Sequence, residues 1–208
     1  MIFGTVFTGQ IKSQNKQCIE TKVFCFVIPI YIMTTTLVTD VVPKGRKGIE
    51  IKTNKISVIA AIIRPIISVL TFFSIGAYIG NLGNDEWQWL IIPSIISFSL
   101  FIYFWFFFGK TTKKEAFIRS QFAKETGLYF IPNWLKKMNL KYFFNELNKK
   151  YRKDFDDELW DDKLIGLSKY DPKFSLLFCL TALDGELNND VRKKELINTI
   201  TKKFANNI

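Results

Sequence analysis

ISVIAAIIRPIISVLTFFSIGAYIG (Ile56–Gly80) and WQWLIIPSIISFSLFIYFWFFF (Trp87–Phe108) are the stretches whose reading decides the fold. The first carries a single charge, Arg64, and the second carries none. Each matches or exceeds the ~20 apolar residues that a helix needs to cross a ~30 Å hydrocarbon core. Only Gly80 to Glu86 separates them, so they are predicted to form a two-span helical hairpin over 56–79 and 87–108. Trp87 and Trp89 at one end of the second run, and Tyr103 and Trp105 towards the other, match the aromatic belts of membrane interfaces. The connecting turn carries Asp85 and Glu86, whereas the outer flanks carry Lys52 and Lys55 on one side and Lys110, Lys113 and Lys114 on the other. The positive-inside tendency then puts both termini in the cytoplasm of a plasma (inner) membrane and the turn outside.

Within the hairpin two features invite a role. Gly76 and Gly80 form G-x-x-x-G, a spacing that lets helix backbones approach closely in lipid. Their partner is expected to be the small residues Ser94 and Ser97 of the second helix, with homodimerisation through the same face as the alternative. Arg64, followed by Pro65, is the one charge inside an apolar run, and such residues are functional candidates by default. Its place near the cytoplasmic start favours a side chain that extends to the headgroups, with Pro65 in the first turn of the helix. Neither run holds a second charge that would make a proton or ion path.

Outward from the hairpin the texture changes on both sides. Residues 1–55 are rich in Val, Ile, Thr, Phe and Tyr, with turn chemistry at Ser13-Gln14-Asn15 and Pro43-Lys44-Gly45, and predict a small β-rich module. Its strands are expected at Ile2–Thr8, Ile19–Ile28, Tyr31–Val38 and Gly48–Lys52. Val23–Thr39 has no charge over 17 residues and competes as a third span. Pro29, the β-branched content, three consecutive threonines and basic residues on both flanks favour strands instead, with a re-entrant or membrane-grazing β segment as the alternative. Phe26-Val27-Ile28-Pro29 is similar to the aromatic-Ile-Pro strands of small bacterial zinc-ribbon membrane proteins. This chain lacks the cysteine pairs of that family, and four residues assign no family.

Residues 110–208 read as an all-α cytoplasmic domain. Helices are expected over Thr112–Thr126, closed by Gly127 and Pro132, and near Trp134–Lys150, with Leu135, Met138, Leu140, Phe143, Phe144 and Leu147 as its apolar face. Asp154–Asp162 supplies an acidic helix start, and Asp171-Pro172 another. FSLLFCLTAL (Phe174–Leu183) is too short to span and is read as a buried central helix. A last helix is capped by Asn189 or Asp190, with Ile197, Ile200 and Phe204 on one face. The basic residues after the hairpin, Lys110, Lys113, Lys114, Arg119 and Lys124, with Phe117, Ile118 and Phe122 beside them, suit an interfacial helix on anionic lipid.

Composition narrows the chemistry. The net charge is +10, and the chain has 21 Phe and no His. Lacking His, it has no Ser-His-Asp triad and lacks the commonest transition-metal ligand. Cys18, Cys25 and Cys179 have neither zinc-ribbon spacing nor an even number. The acidic runs Asp154–Asp162 and Asp184–Asp190 do not match an EF-hand loop and suit solvated helix starts. The opening Met1–Val6 lacks a basic n-region, so the first span is expected to be its own insertion signal. No cofactor or metal is expected. The partners expected are the lipid bilayer and either a protein or a second copy of the chain, rather than nucleic acid. The functional expectation is a membrane-tethered scaffold or interaction subunit. An oligomeric channel or transporter subunit is the alternative, and a membrane-surface enzyme without a recognisable constellation is the third reading.

Overall fold

The computed structural model describes residues 3–26, 28–42, 45–81, 85–153 and 160–205. The N-terminal region is a four-stranded antiparallel sheet in the order β1-β2-β3-β4, formed by Phe3–Gln14, Gln17–Phe26, Ile28–Val42 and Gly45–Ile51. β1, β3 and β4 are longer than the sequence pattern predicts, whereas β2 keeps the expected ten residues but starts two residues earlier. Asn15 and Lys16, both at positive φ, make the tight β1–β2 turn two residues beyond Ser13. Apart from Val27, which lies outside the described residues, Val23–Thr39 lies in β2 and β3, as its threonines and β-branched residues favour, with Thr21 opposite Thr35 and Thr36 opposite Glu20. Pro43 and Lys44 lie outside the described residues.

Register slips twice along this hairpin. Lys22 faces Thr34 but Val23 faces Ile32, and Phe24 faces Tyr31 but Cys25 faces Pro29. Met33 and Ile30 are therefore the extra residues of two bulges in β3, near the strand end where Pro29 is tolerated.

Two long apolar helices follow. α1 spans Lys55–Gly80; the second comprises a 3-10 turn at Asp85–Leu90, α2 at Ile91–Ile102 and a π turn at Tyr103–Phe107. Both are long and apolar enough to cross a membrane. The 26 residues of α1 rise about 39 Å. Asn54 caps α1 by accepting from the amides of Ile56 and Ser57 at 3.1 and 3.2 Å. Pro65 thus lies well inside α1 rather than in its first turn, because this cap starts the helix ten residues earlier, at Lys55.

Most of the sheet, α1 and the second helix share one compact unit, made of residues 1–13, 18–47 and 53–110, while the second half of β4 belongs to the other unit. Its packing is set by small polar contacts. The amide of Asn54 donates to Thr35 Oγ1 of β3, and Ser57 Oγ shares a 2.8 Å hydrogen bond with Thr21 of β2 and donates to the Gly9 carbonyl of β1. The start of α1 therefore crosses the sheet from β3 to β1. Gly9, at φ +68, permits this approach: a Cβ there would lie 2.2 Å from the Ser57 carbonyl oxygen.

The second compact unit comprises residues 14–17, 48–52 and 111–208. It contains α3 (Lys113–Thr126), α4 (Lys137–Tyr151), α5 (Trp160–Ile165), α6 (Phe174–Leu187) and α7 (Val191–Ala205). α3 opens with a capping box between Thr112 and Glu115 and ends at Gly127 in the left-handed region. α6 is the hub, buried at eleven positions and packed by α3, α4, α5 and α7. Phe178 meets Phe117 and Phe174 at 5.8 Å, and Phe130 meets the Phe122 and Phe143 rings in tilted pairs at 4.6 and 4.9 Å.

Several expectations for this unit change. Phe117 and Phe122 are buried in the helical core and so are not available to lipid, while Ile118 is half-buried. Arg119 is fully buried too: its Nε donates to the Tyr129 carbonyl at 2.9 Å and its guanidinium lies over the Trp134 ring. On α4 the buried face is Leu140, Phe143, Leu147 and Tyr151, whereas Met138 is 80% exposed. The broad pattern hid a narrower helical stripe. Of the acidic start Asp154–Asp162, residues 154–159 lie outside the described residues.

Candidate functional site

The chemistry that sets this chain apart sits in the two apolar helices. Of the apolar window of Lys55–Gly80 28% is buried, and of that of Trp87–Phe107 only 6%. Val69, Leu70, Phe72, Phe73, Ile92 and Ile95 are all exposed. A helix of this composition in a soluble core would be covered.

The two helices meet through hydroxyl groups. Thr71 Oγ1 donates to the Ser97 carbonyl at 3.1 Å, Ser74 and Ser97 share a 2.7 Å hydrogen bond, and Ser94 Oγ donates to the Ser74 carbonyl at 2.9 Å. Small polar side chains draw the backbones together and satisfy each other without water. Ser94 and Ser97 are thus in the seam, but Gly76 and Gly80 are not. Both glycines are exposed, and a Cβ on either meets nothing within 4 Å among the described residues. The expected glycine–serine contact is corrected by helix phase: Thr71 and Ser74 point to the second helix, and residues two and six further on point away.

Arg64 lies at the base of this seam. It is only 8% exposed. Its Nε donates to the Phe104 carbonyl at 2.8 Å, one Nη to the Gln10 carbonyl at 2.6 Å and the other to the Phe108 carbonyl at 3.3 Å. The side chain turns inward instead of extending away from the helices, because three carbonyl oxygens offer it better partners than solvent.

The π turn explains why the Phe104 oxygen is free. The amide of Phe108 bonds to the Tyr103 carbonyl at 2.9 Å, one residue further back than in an α-helix. The Phe104 carbonyl, which would otherwise accept from Phe108, is released to Arg64. Gly109 follows at φ +78, and its carbonyl accepts from the Lys12 amide of β1 at 2.8 Å. A Cβ at Gly109 would fall 2.5 Å from Ile11. Arg64 thus ties three pieces together: α1 through its own backbone, β1 through Gln10, and the end of the second helix through Phe104 and Phe108. β1 is an edge strand, and the clasp satisfies groups along its free edge. Sequence reasoning singled out Arg64 but not its partners, since a π turn leaves no composition signal.

Trp105, half exposed, donates from Nε1 to Ser68 Oγ at 3.2 Å, with the Arg64 guanidinium over its ring. Trp87 and Trp89 stack at 6.3 Å at the opposite end of the pair and are exposed. Lys110 is exposed with its ammonium 4.6 Å from the Phe107 ring centroid, and Lys113 and Lys114 are exposed at the start of α3.

Elsewhere the polar chemistry is local. Glu20 is buried and paired with Arg46 at 2.9 Å. Burial, reinforced by the Glu20 carboxylate, pushes the Cys18 thiol up to about 11. Burial likewise raises the Cys179 thiol. Among the described residues no group of three or more His, Cys, Asp or Glu is arranged to hold a metal ion. In the helical unit a cleft of about 480 Å³ is lined by Glu125, Tyr142, Phe143, Glu146, Lys149 and Lys150, among others. Comparison with protein-family models, with functionally described proteins and with solved structures found no match.

Proposed function

We propose that this chain is a two-pass membrane protein that tethers a helical interaction domain to the cytoplasmic face of a plasma membrane. The observation that carries the reading is the bare apolar surface of the two long helices, with only 6% of the second window buried. Water would penalise that surface at ~25 cal/mol per Å², whereas hydrocarbon removes the penalty. The Arg64 clasp supports it, since a charge near lipid is tolerable when its donors are held by carbonyl oxygens. The acidic turn residues Asp85 and Glu86, against basic flanks at Lys55, Lys110, Lys113 and Lys114, give the orientation.

The interaction role rests on α4. Met138 and Tyr142, one helical turn apart and both exposed, stand among Lys137 and Lys141. That combination of apolar anchors with positive charge suits an acidic amphipathic segment of a partner protein. Lys136, Lys149 and Lys150 are already paired with Glu50, Glu146 and Glu125, which argues against a bare polyanion surface for nucleic acid. A channel role is disfavoured by the seam, because Thr71, Ser74, Ser94 and Ser97 spend their hydroxyls on each other rather than on a path.

Alkaline carbonate extraction of membranes bearing the full chain tests the anchor: the protein is expected in the pellet, and release into the supernatant contradicts the reading. For the domain, crosslinking and affinity capture is expected to recover a protein partner that Tyr142→Glu loses. Recovery of lipid and the chain itself alone contradicts the interaction role.

A further inference from the structure

The hairpin leaves apolar residues uncovered towards the ends of β1 and β3. Burial in β2 and β3 is continuous through Cys18, Ile19, Thr21 and Val23, and through Thr35, Leu37 and Val38. Beyond that line it stops: Tyr31 is 67% exposed, and Ile32, Met33 and Val6 of β1 are exposed as well. No charge occurs from Phe3 to Ile11 or from Val23 to Thr39. Lys22 marks the boundary, its ammonium lying over the Phe7 ring. An apolar end with a Tyr at its rim and a cation at its root is the arrangement of a segment seated at a lipid interface.

Geometry places this end beside the hairpin. The start of α1 runs from Thr35 of β3, past Thr21 of β2, to Gly9 and Gln10 of β1, and the rest of the helix continues beyond that edge. If α1 enters a bilayer, the strands lie along the bilayer surface, with β1 nearest to it. Neighbouring strands are ~4.8 Å apart, so β1 to β3 fit within the headgroup and upper acyl region on their side.

We propose that the free ends of β1, β2 and β3 rest in the headgroup–acyl boundary, making the sheet a third membrane contact beside the two spans. The proposal rests on the two-span reading above. It commits to lipid as the occupant because the exposed residues Val6, Tyr31, Ile32 and Met33 are apolar or aromatic and because Lys22, Lys55 and Lys110 of the same unit favour anionic headgroups.

Cys25, half exposed in β2, is a built-in reporter, since Cys18 and Cys179 are buried. The full chain is labelled there with an environment-sensitive fluorophore and reconstituted in phosphatidylcholine–phosphatidylglycerol vesicles carrying doxyl lipids. In the Cys25→Ser background, Met33→Cys and Val6→Cys report two further strands. Phe72→Cys reports the hairpin, and Lys47→Cys, exposed on β4, reports water. Circular dichroism checks that each labelled chain keeps its fold. Shallow doxyl lipids are expected to quench Cys25, Val6→Cys and Met33→Cys by roughly twofold, with Val6→Cys quenched at least as strongly as Met33→Cys, and to leave Lys47→Cys unchanged. Phe72→Cys is expected to be quenched by deep doxyl lipids. Quenching at Phe72→Cys without quenching at the strand ends overturns this proposal and leaves the two spans standing. A blue-shifted but unquenched fluorophore at the strand ends also overturns it, in favour of a protein cover. No quenching at Phe72→Cys overturns the two-span reading and this proposal with it.

Discussion

α6 and the second hairpin helix are built from the same kinds of residue and end in opposite surroundings. FSLLFCLTAL in α6 disappears into the helical domain, with Phe178, Cys179, Leu180 and Leu183 fully buried. The run from Trp87 to Phe107 is equally apolar but almost bare. Length separates the two cases: α6 has 14 residues, too few for a ~30 Å crossing, and its neighbours wrap it instead. Apolar composition alone therefore tells whether a helix avoids water, and length with burial tells what covers it.

The largest effect that would break this contrast is in the cores. Phe178→Ala is expected to destabilise the protein by about 3–5 kcal/mol, measured by chemical denaturation in mild detergent, because it opens a cavity among packed rings. Phe72→Ala in the hairpin is expected to change that value little, since its ring packs against no core. Equal losses at both sites would remove the distinction.

The clasp comes next. Arg64→Met leaves the carbonyls of Gln10, Phe104 and Phe108 without their donor, and is expected to cost about 2–4 kcal/mol and to speed amide hydrogen exchange in β1. Arg64→Lys is expected to recover only part of this, because an ammonium cannot reach three acceptors in the fork geometry of a guanidinium. Full recovery by lysine would reduce the residue to a charge.

Smaller still is the seam. Ser97→Ala is expected to weaken the helix pair by about 0.6 kcal/mol in lipid, the usual worth of such a hydrogen bond there. Gly76→Val is expected to leave the pair intact, since a Cβ there meets nothing. The reverse order of these two effects would return the glycines to the interface.

A pH dependence in the sheet, confined to alkaline solution, separates the two regions further. The Cys18 thiol is raised from 9.0 to about 11 by burial, so between those values the folded chain holds a proton that the unfolded chain releases. Stability contributed by that neutral thiol is present below pH 9 and is lost as pH rises towards 11. Cys18→Ala is expected to flatten that part of the stability curve, and alkylation of native protein at pH 8 is expected to mark Cys25 before Cys18.

Much of the architecture was legible because it follows from runs and punctuation. The two apolar helices announce themselves by length, α3 by Thr112 and Gly127, α6 by its short apolar run, and the Val23–Thr39 strands by their threonines. What stayed hidden depends on phase and on distant partners. Met138 looks like a core residue until the helix is wound and faces it outward. Phe117 and Phe122 suit a lipid-facing helix until Phe178 of α6 and Phe130 meet their rings. Gly76 and Gly80 carry a packing motif, yet Thr71 and Ser74 take the seam. The partners of Arg64 come from Gln10 and from a π turn, at sequence separations of 54 and about 40 residues, which no local pattern encodes.

The most direct test of the membrane account is paired cysteine labelling in intact cells. Asn84→Cys and Ser168→Cys are made separately in the Cys25→Ser chain, and each is exposed to a membrane-impermeant maleimide before and after lysis. The account predicts modification of Asn84→Cys from outside and of Ser168→Cys only after lysis. Equal modification of both sites from outside, or of neither until lysis, would contradict an oriented hairpin with both flanks inside.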